Sequence, residues 1–277
     1  MNYLLSSFLF FLCALCWGQK EKQRFAYQLQ GEVKTLTVTK EELPESQGDL
    51  NVDHFDDNQQ ITFDTQGRII EFVSYRKGKR PTTIKKTSYD AKGRLTREIL
   101  SIAAEDLTQT TIYEYDDTQK RGKATSTSTG FPNKKSKMEL TMTPNDQIAE
   151  VIAYGFEGEL ITKSVLEYNK NKYLTQSRTY NDKNQLEHKS SYEYDHNNRL
   201  TKVENTIIRP HFEIKSSFEY IYENNIYPIK HIFTLNQDAP ITYSFQYKLD
   251  HKGNWIEKTY LHKGKAVAII KREITYY

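Results

Sequence analysis

Cysteine is nearly absent, and its two copies sit together. Of 277 residues only Cys13 and Cys16 are cysteine, both inside an apolar run at residues 4–17. The chain after residue 18 therefore has no disulfide framework, no thiolate metal site and no cysteine nucleophile. That apolar run is short of the roughly 20 residues a spanning helix needs. Net charge is lacking as well: 39 basic and 36 acidic residues leave +3, too little to argue for a nucleic-acid partner. Apolar residues make up 37% of the chain, below the roughly 45–50% of an ordinary globular domain. No stretch after residue 20 keeps an apolar stripe at helical spacing for three turns, which argues against helix.

Reaction signatures are missing too. There is no Gly-x-Ser-x-Gly elbow and no phosphate-binding glycine loop. The seven histidines (His54, His188, His196, His211, His231, His251 and His262) include no pair four residues apart. The densest group of potential metal ligands, Asp53-His54-Phe55-Asp56-Asp57, lacks the alternating Asx pattern and glycine of a calcium loop and reads as an acidic surface loop. Carboxylate pairs such as Glu150 and Glu157 have the chemistry of glycoside cleavage, but such pairs occur in any β protein. The sequence thus points to no cofactor, no metal and no catalytic residue.

What is present is a recurring turn. Asp64-Thr-Gln-Gly67-Arg68-Ile69 and Asp90-Ala-Lys-Gly93-Arg94-Leu95 share a pattern with Asn181-Asp-Lys-Asn184-Gln185-Leu186, Asp195-His-Asn-Asn198-Arg199-Leu200 and Asp250-His-Lys-Gly253-Asn254-Trp255. The leading Asx can hydrogen-bond backbone two residues on, which favours a tight turn. The fourth position requires positive φ, which Gly and Asn tolerate best. The following apolar residue opens the return strand. A second turn class, at Lys77-Gly78, Glu157-Gly158 and Lys263-Gly264, completes each unit. Between turns, polar and aromatic residues alternate (Tyr243, Phe245 and Tyr247 against Ser244, Gln246 and Lys248), the period-two pattern of a strand with one covered face.

The marker aromatics Phe63, Tyr89, Tyr115, Tyr168, Tyr194 and Tyr220 are spaced by 26, 26, 53, 26 and 26 residues. The double gap predicts a degenerate unit at residues 141–148. The pattern predicts an all-β fold: an antiparallel meander repeat array of about 26-residue double-hairpin units, as a curved single sheet or an open, barrel-like spiral. Its plan is a signal peptide at 1–18, a capping strand and acidic loop at 19–59, and the β-repeat domain at 60–277. The Ser/Thr-rich stretch at 121–130, with Pro132, reads as an irregular insertion within one array.

Gly18 follows the apolar run as a small residue at a cleavage point, so the expected product is exported to the periplasm, the cell surface or the outside, cut near Gly18-Gln19. Lipidation of Cys16 is the alternative, and Leu12 and Leu15 stand where a small residue should precede a lipidated cysteine.

Tyr89-Asp90-x-x-Gly-Arg-Leu95, Tyr115-Asp116 and Tyr194-Asp195-x-x-Asn-Arg-Leu200 resemble the YD repeats of bacterial RHS-repeat proteins, a likeness that extends over about residues 60–277. Large members wrap their strands into a hollow shell around a toxin. This sequence has neither the length for such a shell nor a toxin segment, so the resemblance implies β architecture and an extracytoplasmic life and transfers no catalytic residue.

Tyr89, Tyr194 and Trp255, locked in the repeat phase, are expected to be structural. Tyr113, Tyr154, Tyr173, Tyr180, Tyr227 and Tyr260 fall outside it and are the candidates for an exposed ligand-binding face, where aromatic rings stack on sugars or clamp a peptide. The expected function is a non-catalytic binding or scaffold module at the cell envelope, with a glycan or an envelope protein as ligand. The alternative is an envelope enzyme, for example glycan-active, with a carboxylate and tyrosine site. A buried carboxylate away from any turn is the feature that would favour the enzyme.

Overall fold

The computed structural model describes residues 27–44, 57–76, 80–223 and 226–277. The expected signal segment, residues 53–56 of the acidic loop and the Lys77-Gly78 turn lie outside the described residues. The chain runs through β1 (Val33–Glu42), β2 (Gln59–Phe63), β3 (Ile69–Tyr75), β4 (Pro81–Tyr89), β5 (Leu95–Ile102) and β6 (Leu107–Asp116). It continues through β7 (Arg121–Ser128), β8 (Phe131–Met142), β9 (Ile148–Tyr154), β10 (Leu160–Tyr168), β11 (Leu174–Asn181) and β12 (Leu186–Tyr194). The last strands are β13 (Leu200–Arg209), β14 (Phe212–Ile221), β15 (Lys230–Leu235), β16 (Ile241–Leu249), β17 (Trp255–His262) and β18 (Lys265–Tyr276). Among the described residues the only helical element is a 3-10 turn at Ala103–Glu105.

Each strand pairs antiparallel with the next, and β1 pairs with both β2 and β18, so the 18-stranded sheet closes on itself. This corrects the expectation of an open array with a capping edge at its N-terminal end. Unpaired edges expose a row of backbone donors and acceptors. Here Leu36 meets Ile274 and Val38 meets Arg272, so the first and last strands match register and inner face and leave no edge.

The Asx turn behaves as its chemistry predicts. The Asp64 carbonyl accepts from Gly67 N at 2.8 Å, and Asp64 Oδ1 accepts from the backbone N of Gln66 and of Arg68, each at 2.9 Å. Gly67, Gly93, Asn184, Asn198 and Gly253 all hold positive φ at the fourth position. The degenerate unit sits where the double gap placed it: Thr143 replaces the Asx, its Oγ1 accepting from Gln147 N at 3.2 Å, and Asp146 takes the left-handed conformation. One more turn, at 169–173, escaped the sequence pattern because Lys172 occupies the positive-φ position, where neither Gly nor Asn signals it.

Turns at 64–68, 90–94, 117–120, 143–147, 169–173, 195–199 and 250–254, with the connection from β14 to β15, alternate along the chain with the others, so they gather at one rim of the barrel. The Asn181 turn has the same hydrogen bonds but joins β11 to β12, which places it at the opposite rim. The Glu157-Gly158 turn, assigned by sequence to a second class, has the backbone bonding of the first, Gly155 N to Glu159 O and Gly158 N to Gly155 O. Residues 121–130 are also corrected: β7 runs through most of the Ser/Thr stretch as a strand, with a register shift against β8 at Thr127/Ser128, because those hydroxyls pair across strands (Thr111 with Ser126 at 2.8 Å).

The first rim is stitched into a continuous belt. Arg68 donates to the Asp90 carbonyl, Arg94 and Lys92 reach Asp117, Lys120 reaches Asp146, and Gln147 donates to the Lys172 carbonyl. The belt passes from Asn171 to Asn198, from Arg199 to the Glu223 carbonyl, and from Tyr227 to the Gly253 carbonyl. Asn254 then bonds Tyr276, and Tyr277 returns to the Phe63 carbonyl at the first turn. Within it, each Arg of an Asp-x-x-Gly/Asn-Arg turn grips its own Asp and lies over a tyrosine of the following unit: Arg68 over Tyr89 at 4.9 Å, Arg94 over Tyr115 at 4.3 Å and Arg199 over Tyr222 at 4.5 Å. The repeat tyrosines act as buckles: Tyr89, Tyr168 and Tyr194 donate to the carbonyls of Ile69, Ile148 and Leu174 at 2.7, 2.8 and 2.9 Å. The Tyr, Asp and Arg of the repeat are thus one inter-unit joint.

Inside, the apolar side chains form two clusters. The larger joins Leu36, Val38, Ile61, Phe63, Trp255, Tyr260 and Ile270 across the closure, and the smaller joins Leu95, Tyr113, Leu140, Val151 and Leu166. Residues 27–32 cross the first rim as a cap. Gln30 exchanges two hydrogen bonds with Asn254, and the Tyr27 carbonyl accepts from Arg272 at 3.0 Å.

Two outcomes test this account. Gly93→Val is expected to lower stability by about 1–3 kcal/mol through backbone strain alone, since a Cβ there meets nothing within 4 Å. Lys92→Val loses only an exposed ion pair to Asp117, a smaller effect than the strain at Gly93; equal denaturation midpoints for the two variants would contradict the turn geometry. Arg94→Lys is expected to cost about 1–2 kcal/mol, because an ammonium cannot reproduce the forked bond to Asp90 and the stack on Tyr115. Urea denaturation measures it.

Candidate functional site

The register assigns each side chain to the inner or outer wall. On the outer wall, charges pair across strands: Lys86 with Glu71 at 3.3 Å, Lys123 with Glu114 at 2.7 Å, Lys163 with Glu150 at 2.6 Å and Lys248 with Glu257 at 2.7 Å. Arg178 with Glu167 extends the same pattern, and Lys202 pairs with Glu204 two residues along β13.

The inner wall is layered. Nearest the first rim it is apolar and aromatic. One or two residues further along, the strands present small polar groups in register. Thr87, Glu98, Thr111, Ser126 and Ser136 are consecutive cross-strand neighbours on β4 to β8. Ser177, Ser190, Asn205 and Ser216 form an equivalent row on β11 to β14, and Ser164 with Thr179 links β10 to β11. Direct bonds tie parts of this band together, Ser190 to Asn205 at 2.7 Å and Ser164 to Thr179 at 3.1 Å.

Glu98 interrupts the hydroxyls. It is 3% exposed, the only Asp or Glu buried among the described residues, and its Oε2 has no hydrogen-bond donor. Lys85 Nζ lies 3.9 Å away. Burial pushes the Glu98 carboxyl above its ordinary range, and the Lys85 ammonium offsets part of that rise. Tyr113 is raised well above the usual phenol value, first by burial and then by the Glu98 charge. On the second-rim side of Glu98, the inward Leu100, Gln109 and Ser128 are half-buried, so the interior opens in that direction. A carboxyl, an ammonium and a ring of hydroxyls can hold a polar molecule by hydrogen bonds. Glycoside cleavage would require a second carboxylate facing the first.

The sequence candidates do not come together here. Tyr113, Tyr227 and Tyr260 are buried, with 4%, 4% and 0% exposure, which corrects their assignment to an exposed face. Tyr113 and Tyr260 belong to the two cores, and Tyr227 is held by its bond to the Gly253 carbonyl. The phase of Tyr113 and Tyr260 looked irregular because they occupy mid-strand inner positions, away from the turn-proximal site of the marker aromatics, whereas Tyr227 lies in the connection between β14 and β15. Tyr154 is on the outer wall beside Glu139, Tyr180 is at the second-rim end of β11, and Tyr173 leans on Tyr194 at the first rim with ring centroids 5.1 Å apart. Glu150 and Glu157 are engaged with Lys163 and Lys134 on separate elements. Glu98 was not singled out by sequence, although a charged residue at an inward position of an alternating strand is the signal that betrays it.

No protein-family model matches this chain. A search of curated proteins likewise finds no match. Among solved structures it is similar to a porin-like protein of Bacteroides uniformis, with a TM-score of 0.44 at 14% identity over 89% of this chain and 99% of that one. A porin-like protein of Bacteroides vulgatus gives 0.36 at 11% identity over the same shares, 89% and 99%. The crystal structure of TcdB2-TccC3-Cdc42 gives 0.29 at 10% identity, over 76% of this chain and 16% of that one. Likeness at these scores assigns no role.

Because the folded carboxyl of Glu98 holds its proton more tightly than an unfolded one, its burial is harmless below the ordinary value of 4.5 and becomes costly as pH rises through the raised value. Glu98→Leu removes that pH-dependent cost, so relative to the native barrel the variant is expected to gain an advantage as pH rises from 4.5 to neutral. That advantage should shrink as pH falls toward 4.5. Thermal melts of both proteins across pH check it, and a difference independent of pH would contradict the buried state of Glu98.

Proposed function

We propose that this chain is a non-catalytic, extracytoplasmic binding barrel of the YD-repeat type, exported by its N-terminal segment and working in water. The observation that carries the reading is the outer wall. Cross-strand ion pairs recur around it, whereas a wall facing lipid carries an apolar band about 25 Å tall. With the outside solvated and the first rim capped and belted, recognition falls to the inner wall and the second rim. Residues 4–17 and Gly18 supply the export reading.

A second reading, an enzyme built on Glu98 and Tyr113, is favoured by the buried carboxyl alone. It is weaker because Glu98 is the only buried acid among the described residues, and acid–base cleavage of a glycoside calls for two.

The full sequence expressed in a bacterium is expected to yield an exported product that begins at Gln19 and stays monodisperse without detergent. Intact mass and size-exclusion chromatography read both. A mass retaining residues 1–18, a lipid adduct, or precipitation relieved only by detergent would overturn the proposal. The exported protein is also expected to bind on a glycan and peptide array while leaving the bound ligand chemically unchanged.

A further inference from the structure

We propose that Glu98, with Lys85 and the hydroxyl row Thr87, Thr111 and Ser126, is the ligand-reading group of the interior, and that it takes a neutral, hydroxyl-rich ligand of the saccharide class. This deepens the binding-barrel reading and rests on it.

Mid-strand, between Thr87 and Thr111, any small or β-branched residue would complete the wall at lower cost. The chain instead places there a carboxyl, nine-tenths and more buried, with an oxygen that has no donor. Buried polar groups in folded proteins are nearly always bonded, so an unsatisfied acceptor beside a half-open interior marks a place where a donor is to be supplied. Charge selects the donor. A cation would meet the Lys85 ammonium 3.9 Å from the carboxylate, and an anion would meet Glu98 itself. A neutral molecule carrying O–H groups meets no repulsion: its hydroxyls donate to Glu98 and exchange bonds with the threonine and serine hydroxyls around it. Leu100, half-buried on the same inner face, offers apolar surface for the C–H face of a sugar ring.

The test is isothermal titration of the full exported chain with a panel of neutral mono- and disaccharides, with glucosamine and glucuronate as cationic and anionic controls. At least one neutral sugar is expected to bind, neither charged sugar to bind more tightly, and Glu98→Gln to weaken the neutral sugar by about tenfold or more. Glu98→Leu should abolish binding, and its melting curve, recorded alongside, separates lost recognition from lost structure. Binding confined to a charged sugar, no binding by any sugar, or equal affinity in Glu98→Gln overturns the inference. Peptide binding on the array without any sugar binding would sink this inference while leaving the binding barrel standing. A precipitating or lipidated product would sink the binding barrel first.

Discussion

The pairing of β1 with β18 is the constraint on which the rest depends. A meander is a string of hairpins, none of which buries its own apolar face or satisfies its outermost backbone. Joining the first strand to the last removes both edges and defines an inside. Only then do Leu36, Phe63, Trp255, Tyr260 and Ile270, drawn from both ends of the chain, become one core.

The first rim converts a repeated sequence into a rigid object. Each Asx turn fixes a hairpin locally, but its Arg and Tyr act between units. The guanidinium is held by its own Asp and covers the next tyrosine, while repeat tyrosines buckle onto a carbonyl 20 residues earlier. Individual exposed ion pairs contribute little, yet here they and the stacked rings join each unit to the next around the rim. Where the Arg is missing, substitutes keep the chain of contacts unbroken: Gln147 reaches the Lys172 carbonyl and Asn171 reaches Asn198. At the closure the role passes to Tyr276, whose hydroxyl, pushed up to about 12 by burial and by its bond to Asp250, also takes a hydrogen bond from Asn254.

The two rims and the two walls differ in character. One rim is belted and capped by residues 27–32, and the outer wall carries charge pairs suited to water. The inner wall grades from aromatic to hydroxyl-bearing, with Glu98 at the boundary. A ligand can use only the surfaces that structural work has left free.

Local chemistry made the repeat, its turns and its strands legible in the sequence. An Asx that bonds the backbone two residues on, and a fourth residue forced to positive φ, need no tertiary context, so even the degenerate unit at Thr143 could be placed. The signal faded where the fourth residue was Lys172, whose side chain does not advertise its backbone. Tertiary structure alone decided the rest. Closure depends on register between strands more than 200 residues apart, which no local pattern carries. The irregular phase of Tyr113 and Tyr260 marked burial and not exposure, because only the closed ring says which face is covered. Glu98 is an ordinary strand residue until a wall closes around it, and its chemistry comes from that desolvation.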